Sequence, residues 1–213
     1  TTLLVGGLVA WGAQISLATA LVFGSIVAAT DPVSVIALFR SLGVPKRLQV
    51  LLEGESLFND GTAIVVFKLM MGIALTGSFS LSSSLLNFIT IAGGGLLIGA
   101  TMGMLTAQLI RYINNPPIET TLTTILAFGS YIIAEQTFHV SGVLAVVAAG
   151  LATGNVGPRG MSPTTRMVIF NFWEYAAFLA NSFVFLLIGL EIYPTLLVEN
   201  RLAILWAIFA VLA

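Results

Sequence analysis

The chain has 213 residues, of which 58% are hydrophobic and only 8% charged, whereas a soluble domain carries roughly 25% charged residues. A formal net charge of -1 at pH 7 offers nothing to nucleic acid, and the absence of cysteine excludes disulfides and thiolate chemistry. Mean hydropathy is +1.05. Apolar stretches able to cross ~30 Å of hydrocarbon recur from end to end, which implies an all-α polytopic membrane protein; a β-barrel would show short alternating segments instead.

The sequence opens with TTLLVGGLVAW, about half the length of a membrane span, and closes on LAILWAIFAVLA, still apolar. The expectation is therefore one partial transmembrane domain over residues 1–213, truncated at both ends. Further spans are predicted at about 14–40, 46–75, 84–112, 118–137, 140–155 and 164–190, with a last one from about Leu202. That makes about eight transmembrane helices of a larger fold. Arg40, Lys46 and Arg47 fall in one connection, Arg111 in another, Arg159 and Arg166 in a third. The positive-inside rule puts those three on the cytoplasmic side, and the intervening TGSFSLSSS and FHVS carry no Lys or Arg.

The second predicted span contains Thr30-Asp31-Pro32 near its middle. Proline has no N–H to give the carbonyl of Ala28, its ring crowds that carbonyl, and it pushes Asp31 away from helical dihedrals. The span should break there, with Asp31 capping a new half-helix that has Pro32 at its first position. Carbonyls around Ala28 to Thr30 then lose their helical partners, and such groups survive at depth only by lining a cavity or binding something. The plainer alternative is an ordinary proline kink.

The third span reads EGESLFNDGTAIVVF over residues 53–67. At ~100° per residue, Glu53, Glu55, Ser56, Asn59 and Asp60 share an arc of roughly 160°. Asp60 lies roughly 20 Å along the axis from Lys46, close to the bilayer midplane. Ser56 and Asn59 taken alone are as well explained by interhelical hydrogen bonding. A carboxylate at that depth needs a cation, a proton or water to be tolerable, so Asp60 is a functional candidate. With the Ser56 hydroxyl, the Asn59 amide oxygen and the carbonyls near Thr30 it makes an all-oxygen site of the kind hard cations prefer. Desolvation disfavours the bare carboxylate, so it takes either a proton or a monovalent cation, and mutually exclusive loading is the basis of exchange. Because Asn59 cannot ionise, the charge at Asp60 alone would exchange one proton for one ion.

The stretch TDPVSVIALFRSLGVPKRLQVLLEGESLFNDGTAIVVF closely resembles the signature region of sodium/proton exchangers of the monovalent cation:proton antiporter superfamily, in the NhaP-like branch with an Asn-Asp pair. HVSGVLAVVAAGLATGN and NFWEYAAFLANSFVFLLIGLEI are similar to later helices of the same family. The resemblance implies a secondary active antiporter, not an enzyme, exchanging Na+ (or Li+ or K+) for H+ by alternating access in the cell membrane. It implies no cofactor, a homodimer as the full-length protein, and elevator-like movement of a core domain against a dimerisation domain. It makes Asp60 the carboxylate that binds cation and proton in turn, Asn59 its partner, Ser56 a side-chain ligand, and Thr30 a backbone ligand in the unwound helix that contains Asp31. Glu55 is similar to a glutamate that pairs with an arginine of a later helix; that arginine and a second broken helix fall outside residues 1–213. The rival class is a cation channel or ion-sensing membrane receptor using the same oxygen-lined site.

The remaining polar residues divide more plainly. Gly93, Gly94, Gly95, Gly99 and Gly103 suit close helix packing and carry no chemistry. Lys68 snorkels to the interface. His139 is a loop residue, and Glu119 and Glu135 are interfacial acids at opposite ends of one span. Asn171, Glu174, Phe178 and Asn181 follow helical spacing along one face, either bonding between helices or lining the ion pathway, with Glu174 and Asn181 the pathway candidates. Glu53, nearer the cytoplasmic end, has a funnel or snorkelling role.

Overall fold

In a computed structural model the described residues are 1–30, 32–76 and 81–212, and every regular element among them is helical. In chain order these are α1 (Thr2–Ala13), α2 (Leu17–Val27), α3 (Val33–Ser41), α4 (Lys46–Thr76), α5 (Leu81–Ile110), α6 (Pro116–Ile132), α7 (Gly142–Val156), α8 (Pro163–Glu191), α9 (Pro194–Glu199) and α10 (Arg201–Leu212). A π-helical turn, Ile133–Thr137, follows α6, and a 3-10 turn, Gly157–Arg159, follows α7. Asp31 and part of the connection TGSFSLSSS lie outside the described residues.

Among the described residues four helices are long and apolar enough to cross a membrane: Lys46–Leu75, Ser82–Ile110, Pro116–Thr137 and Pro163–Glu191. Thr2–Ala13, Leu17–Val27, Gly142–Val156 and Arg201–Leu212 are apolar but shorter. The span expected over 14–40 is divided, with α2 ending at Val27 and α3 beginning at Val33. The Ala28 N–H still bonds the Gly24 carbonyl at 3.1 Å, and the next helical ladder starts with the Ile36 N–H on the Pro32 carbonyl at 2.8 Å. Pro32 therefore stands at the cap of α3 and not at its first helical position, one residue earlier than expected.

The chain forms two compact units, Thr1–Ala92 with Glu199–Ala213, and Gly93–Val198. In the first unit α1 and α2 cross at close range, because a Cβ on Gly24 would sit 2.4 Å from the Thr2 carbonyl oxygen. Val5, Val9, Ala20 and Ala210 form a small core there. The Trp206 indole N–H donates to the Leu8 carbonyl at 2.7 Å, tying α10 to α1.

In the second unit the glycines of α5 form the close-packed seam expected of them, except Gly93, which meets nothing within 4 Å. A Cβ on Gly95, Gly99 or Gly103 would lie 2.4, 2.0 or 2.5 Å from the carbonyl oxygens of Ser141, Ala145 and Ala149. Backbones approach this closely only where side chains are absent, which is how membrane helices gain dispersion contact without a hydrophobic driving force. The Thr153 hydroxyl closes the seam by donating to the Gly103 carbonyl at 3.1 Å. Helix starts are fixed by side chains: Asn115 accepts from the Ile118 N–H, Ser141 from Leu144 and Ser162 from Thr165.

Candidate functional site

The break between α2 and α3 leaves carbonyls without helical partners, and α4 supplies them. The Asn59 amide nitrogen donates to the Ala28 carbonyl at 2.9 Å and to Thr30 Oγ1 at 2.9 Å. One turn earlier, the buried Ser56 hydroxyl donates to the Thr30 carbonyl. The Ala28 carbonyl is the one that Pro32 cannot serve. The carbonyl of Ala28 that the proline leaves unserved is thus answered by an amide on α4, 31 residues further along the sequence.

This geometry adds a second use of the same side chain: a carbonyl only accepts, so the Asn59 group facing Ala28 is the NH2, and the amide oxygen keeps its acceptor capacity. Asn59 acts as a donor that satisfies the broken segment, and its own backbone carbonyl accepts from the Thr62 hydroxyl at 2.9 Å. The carbonyls at Ala28 and Thr30 are accordingly engaged by α4. Each keeps a second lone pair, and the Ser56 oxygen keeps its acceptor capacity.

Thr30, Ser56 and Asn59 are brought together as expected. Asp60 follows Asn59 directly and is half-buried. Asp31 falls outside the described residues, so its place among them is not described. Glu53 and Glu55 are exposed, although they share the helical arc of Ser56 and Asn59. A wide polar arc on α4 therefore narrows to the part that meets the break. Lys68 is exposed on the same helix. In the second unit Glu174 and Asn181 are exposed on α8, as are Asn171 and Phe178. His139 is exposed with a φ of 53°, a turn conformation that fits its reading as a loop residue.

Glu119 and Glu135 depart from the reading as interfacial acids. Glu119 is fully buried, and its Oε1 accepts from the Asn115 N–H at 3.2 Å and the Thr165 hydroxyl at 3.4 Å. Glu135, carried on the π-helical turn, accepts from the Gly142 N–H at 2.9 Å at the start of α7. Both satisfy N–H groups that helix starts leave orphaned. The sequence Asn115-Pro116-Pro117-Ile118-Glu119 held a signal for the first, since a capping residue, prolines in the first turn and a following acid mark a helix start. Among the described residues no group of three His, Cys, Asp or Glu side chains is placed to hold a metal ion.

The family model for the transmembrane sodium/hydrogen exchanger matches residues 1–213. The chain is 50% identical to the Na(+)/H(+) antiporter ApNhaP of Aphanothece halophytica, over 92% of this chain and 38% of that protein. It is 46% identical to the low-affinity Na(+)/H(+) antiporter NhaS1 of Synechocystis sp., over 94% of this chain and 38% of that protein. With the Na(+)/H(+) antiporter NhaH of Halobacillus dabanensis the identity is 43%, over 93% of this chain and 50% of the relative. The chain thus spans half or less of the length of these curated relatives. It is an integral, multi-pass membrane protein, and with a match running its full length it belongs to the sodium/hydrogen exchanger family.

Proposed function

We propose that this chain carries the ion-exchanging centre of a secondary active antiporter that moves Na+, or Li+ or K+, against H+ by alternating access. The observation that carries the reading is the clamp of Ser56 and Asn59 on the carbonyls of the broken α2–α3 segment, directly beside Asp60. Side chains committed to holding a helix open at depth make sense where the break itself is the working part. The relatives are named as antiporters, and no observation favours a channel or receptor.

In this reading Asp60 takes a proton or a cation in turn. The cation rests on the Asp60 carboxylate, the Ser56 oxygen and the remaining lone pair of the Thr30 carbonyl, and Asp31, next to Thr30 in sequence, is counted among the cation-binding residues. Asn59 keeps the segment open by the donor bonds of its NH2, and its amide oxygen stays available to the ligand set. Because it carries no charge, loading at Asp60 balances one proton against one monovalent ion. Glu55 awaits an arginine from outside residues 1–213. Glu53 in the first unit and Glu174 and Asn181 in the second are each candidates for the ion pathway. The whole protein would cross the cell membrane by about eight helices within residues 1–213 and by others beyond them, work as a homodimer and need no cofactor, its partners being the bilayer and the two ions.

The test is exchange by the full-length protein in vesicles holding a pH gradient. Addition of Na+ should dissipate the gradient, and Asp60→Asn should abolish that response. Full activity in Asp60→Asn would sink the assignment. Running Na+, Li+ and K+ in parallel ranks the cations.

A further inference from the structure

A cavity of about 360 Å³ opens among α6, α7 and α8 within the second unit. Its wall is apolar, with Leu126, Val146, Ala149, Ile169 and Trp173, and Arg166 stands among the lining residues. The space exists because two glycines one turn apart, Gly150 and Gly154, face it without side chains. A Cβ built on either meets no atom within 4 Å. Two hydroxyls also line it, and both are already used. Thr123 donates to the Thr120 carbonyl at 2.8 Å and accepts from the Trp173 indole N–H at 3.0 Å; Thr153 donates to Gly103. A polar guest would therefore find no free hydroxyl donor inside and only leftover acceptor lone pairs on the two threonine oxygens, while an apolar one loses nothing.

The charged end differs. Arg166 is exposed in the first turn of α8, its guanidinium 5.7 Å from the centroid of the Phe170 ring. From Arg166 to Trp173 the wall runs roughly 10 Å along α8. An amphiphile with an anionic head and a hydrocarbon tail matches that gradient from cation to grease. Arg111, Arg159 and Arg166 belong to the connections that the positive-inside rule assigns to the cytoplasm, and that leaflet carries the anionic lipids.

We propose that this cavity holds one acyl chain of an anionic phospholipid of the cytoplasmic leaflet, with the headgroup phosphate on Arg166. An acidic peptide lacks the hydrocarbon that would fill the slot, and a free phosphate would leave it empty. Trp173 sits at the apolar end and serves as reporter. The full-length protein is placed in nanodiscs of phosphatidylcholine containing equal mole fractions of chain-brominated phosphatidylglycerol or chain-brominated phosphatidylcholine. Quenching assigned to Trp173 is the difference from Trp173→Phe.

The expected result is about fivefold tighter quenching by the anionic lipid, the preference that one basic group near a lipid surface confers. Arg166→Gln should remove the preference and Arg166→Lys should keep most of it. Gly150→Leu fills the slot, so it should cut Trp173 quenching by the anionic lipid to the level of the zwitterionic one. Equal quenching by the two lipids in the unmodified protein overturns the proposal. So does a preference that survives both Arg166→Gln and Gly150→Leu, and so does an absence of quenching by either lipid, which would mean that a protein segment fills the space.

Discussion

The two units use the same few polar residue types for different ends. In the first, Ser56 and Asn59 reach from α4 to the backbone of another segment, 26 and 31 residues away in sequence. In the second, Glu119, Glu135, Ser141 and Ser162 bind N–H groups at helix starts close by in the chain. Both arrangements satisfy backbone groups that helical geometry leaves without partners. They differ in where those groups arise. Helix starts in the second unit fall at connections, whereas the break opposite Asn59 falls inside what would otherwise be one span. The second unit does bind across helices, through Thr153 and Trp173, but there the main adhesive is the close approach of glycines to carbonyls. Polarity builds helices in both units, as where Ser16 caps α2 by accepting from the Thr19 N–H, and in the first it also holds one apart.

The largest effect expected of a single methyl group tests the second half of that contrast. Gly99→Ala puts a Cβ 2.0 Å from the Ala145 carbonyl oxygen, a backbone atom that cannot turn aside. The helices must separate, at a cost of about 3 kcal/mol by the usual scale of overpacking. Gly93→Ala, on the same helix, meets nothing within 4 Å and should stabilise by up to about 1 kcal/mol through helix propensity. Thermal unfolding of the full-length protein in detergent separates the two. Equal melting temperatures would mean that the seam is not a packing device.

Asn59→Ala comes next and probes the first unit. It strands the half-buried Ala28 carbonyl, which costs about 1 kcal/mol, the low end of the range for an unpaired buried group. Exchange should fall much further than the amount of folded protein, because the broken segment loses its support beside Asp60. Ser56→Ala removes one bond to Thr30, at a cost of about 1 kcal/mol, and with it the proposed hydroxyl ligand, so exchange should again fall further than the amount of folded protein. Vesicle exchange normalised to folded protein checks both. A loss of exchange that merely tracks stability would reduce Asn59 to a helix tie, like Thr153.

The position of this clamp was legible in the sequence, but its direction was not. Pro32 announces an unserved carbonyl at Ala28, and the four-residue glycine spacing of α5 announces a close crossing. The spacing from Glu53 to Asp60 reports a shared arc without saying which part of it meets another helix, so Glu53 and Glu55 could not be separated from Ser56 and Asn59. Nor does a residue name fix which end of an amide faces a partner. That depends on whether the opposing atom accepts or donates, and only the fold puts the Ala28 carbonyl there. The π-helical turn that carries Glu135 toward Gly142 leaves no mark in hydropathy. The cap at Glu119 did leave one, in Asn115-Pro116-Pro117-Ile118-Glu119, but a carboxylate near the end of a span reads first as an interfacial acid.

Glu119→Gln gives the smallest expected effect and the finest test of the contrast. Oε1 of Glu119 holds the Asn115 N–H, while Oε2 is buried with no hydrogen-bond partner among the described residues. Glutamine keeps the first oxygen and exchanges the second for an equally unpartnered NH2. Loss of a negative charge at a helix start costs about 0.3–1 kcal/mol, and relief of a buried charge works in the opposite sense. The two nearly offset, so melting should shift by less than about 1 kcal/mol and exchange should be unaltered. Glu119→Ala also removes the oxygen that Asn115 needs, so it should destabilise by about 1–3 kcal/mol while leaving exchange per folded molecule unchanged. If either variant slowed exchange as Asn59→Ala does, the helix-capping acid Glu119 would belong to the transport cycle, and the contrast between caps in the second unit and the clamp in the first would fail.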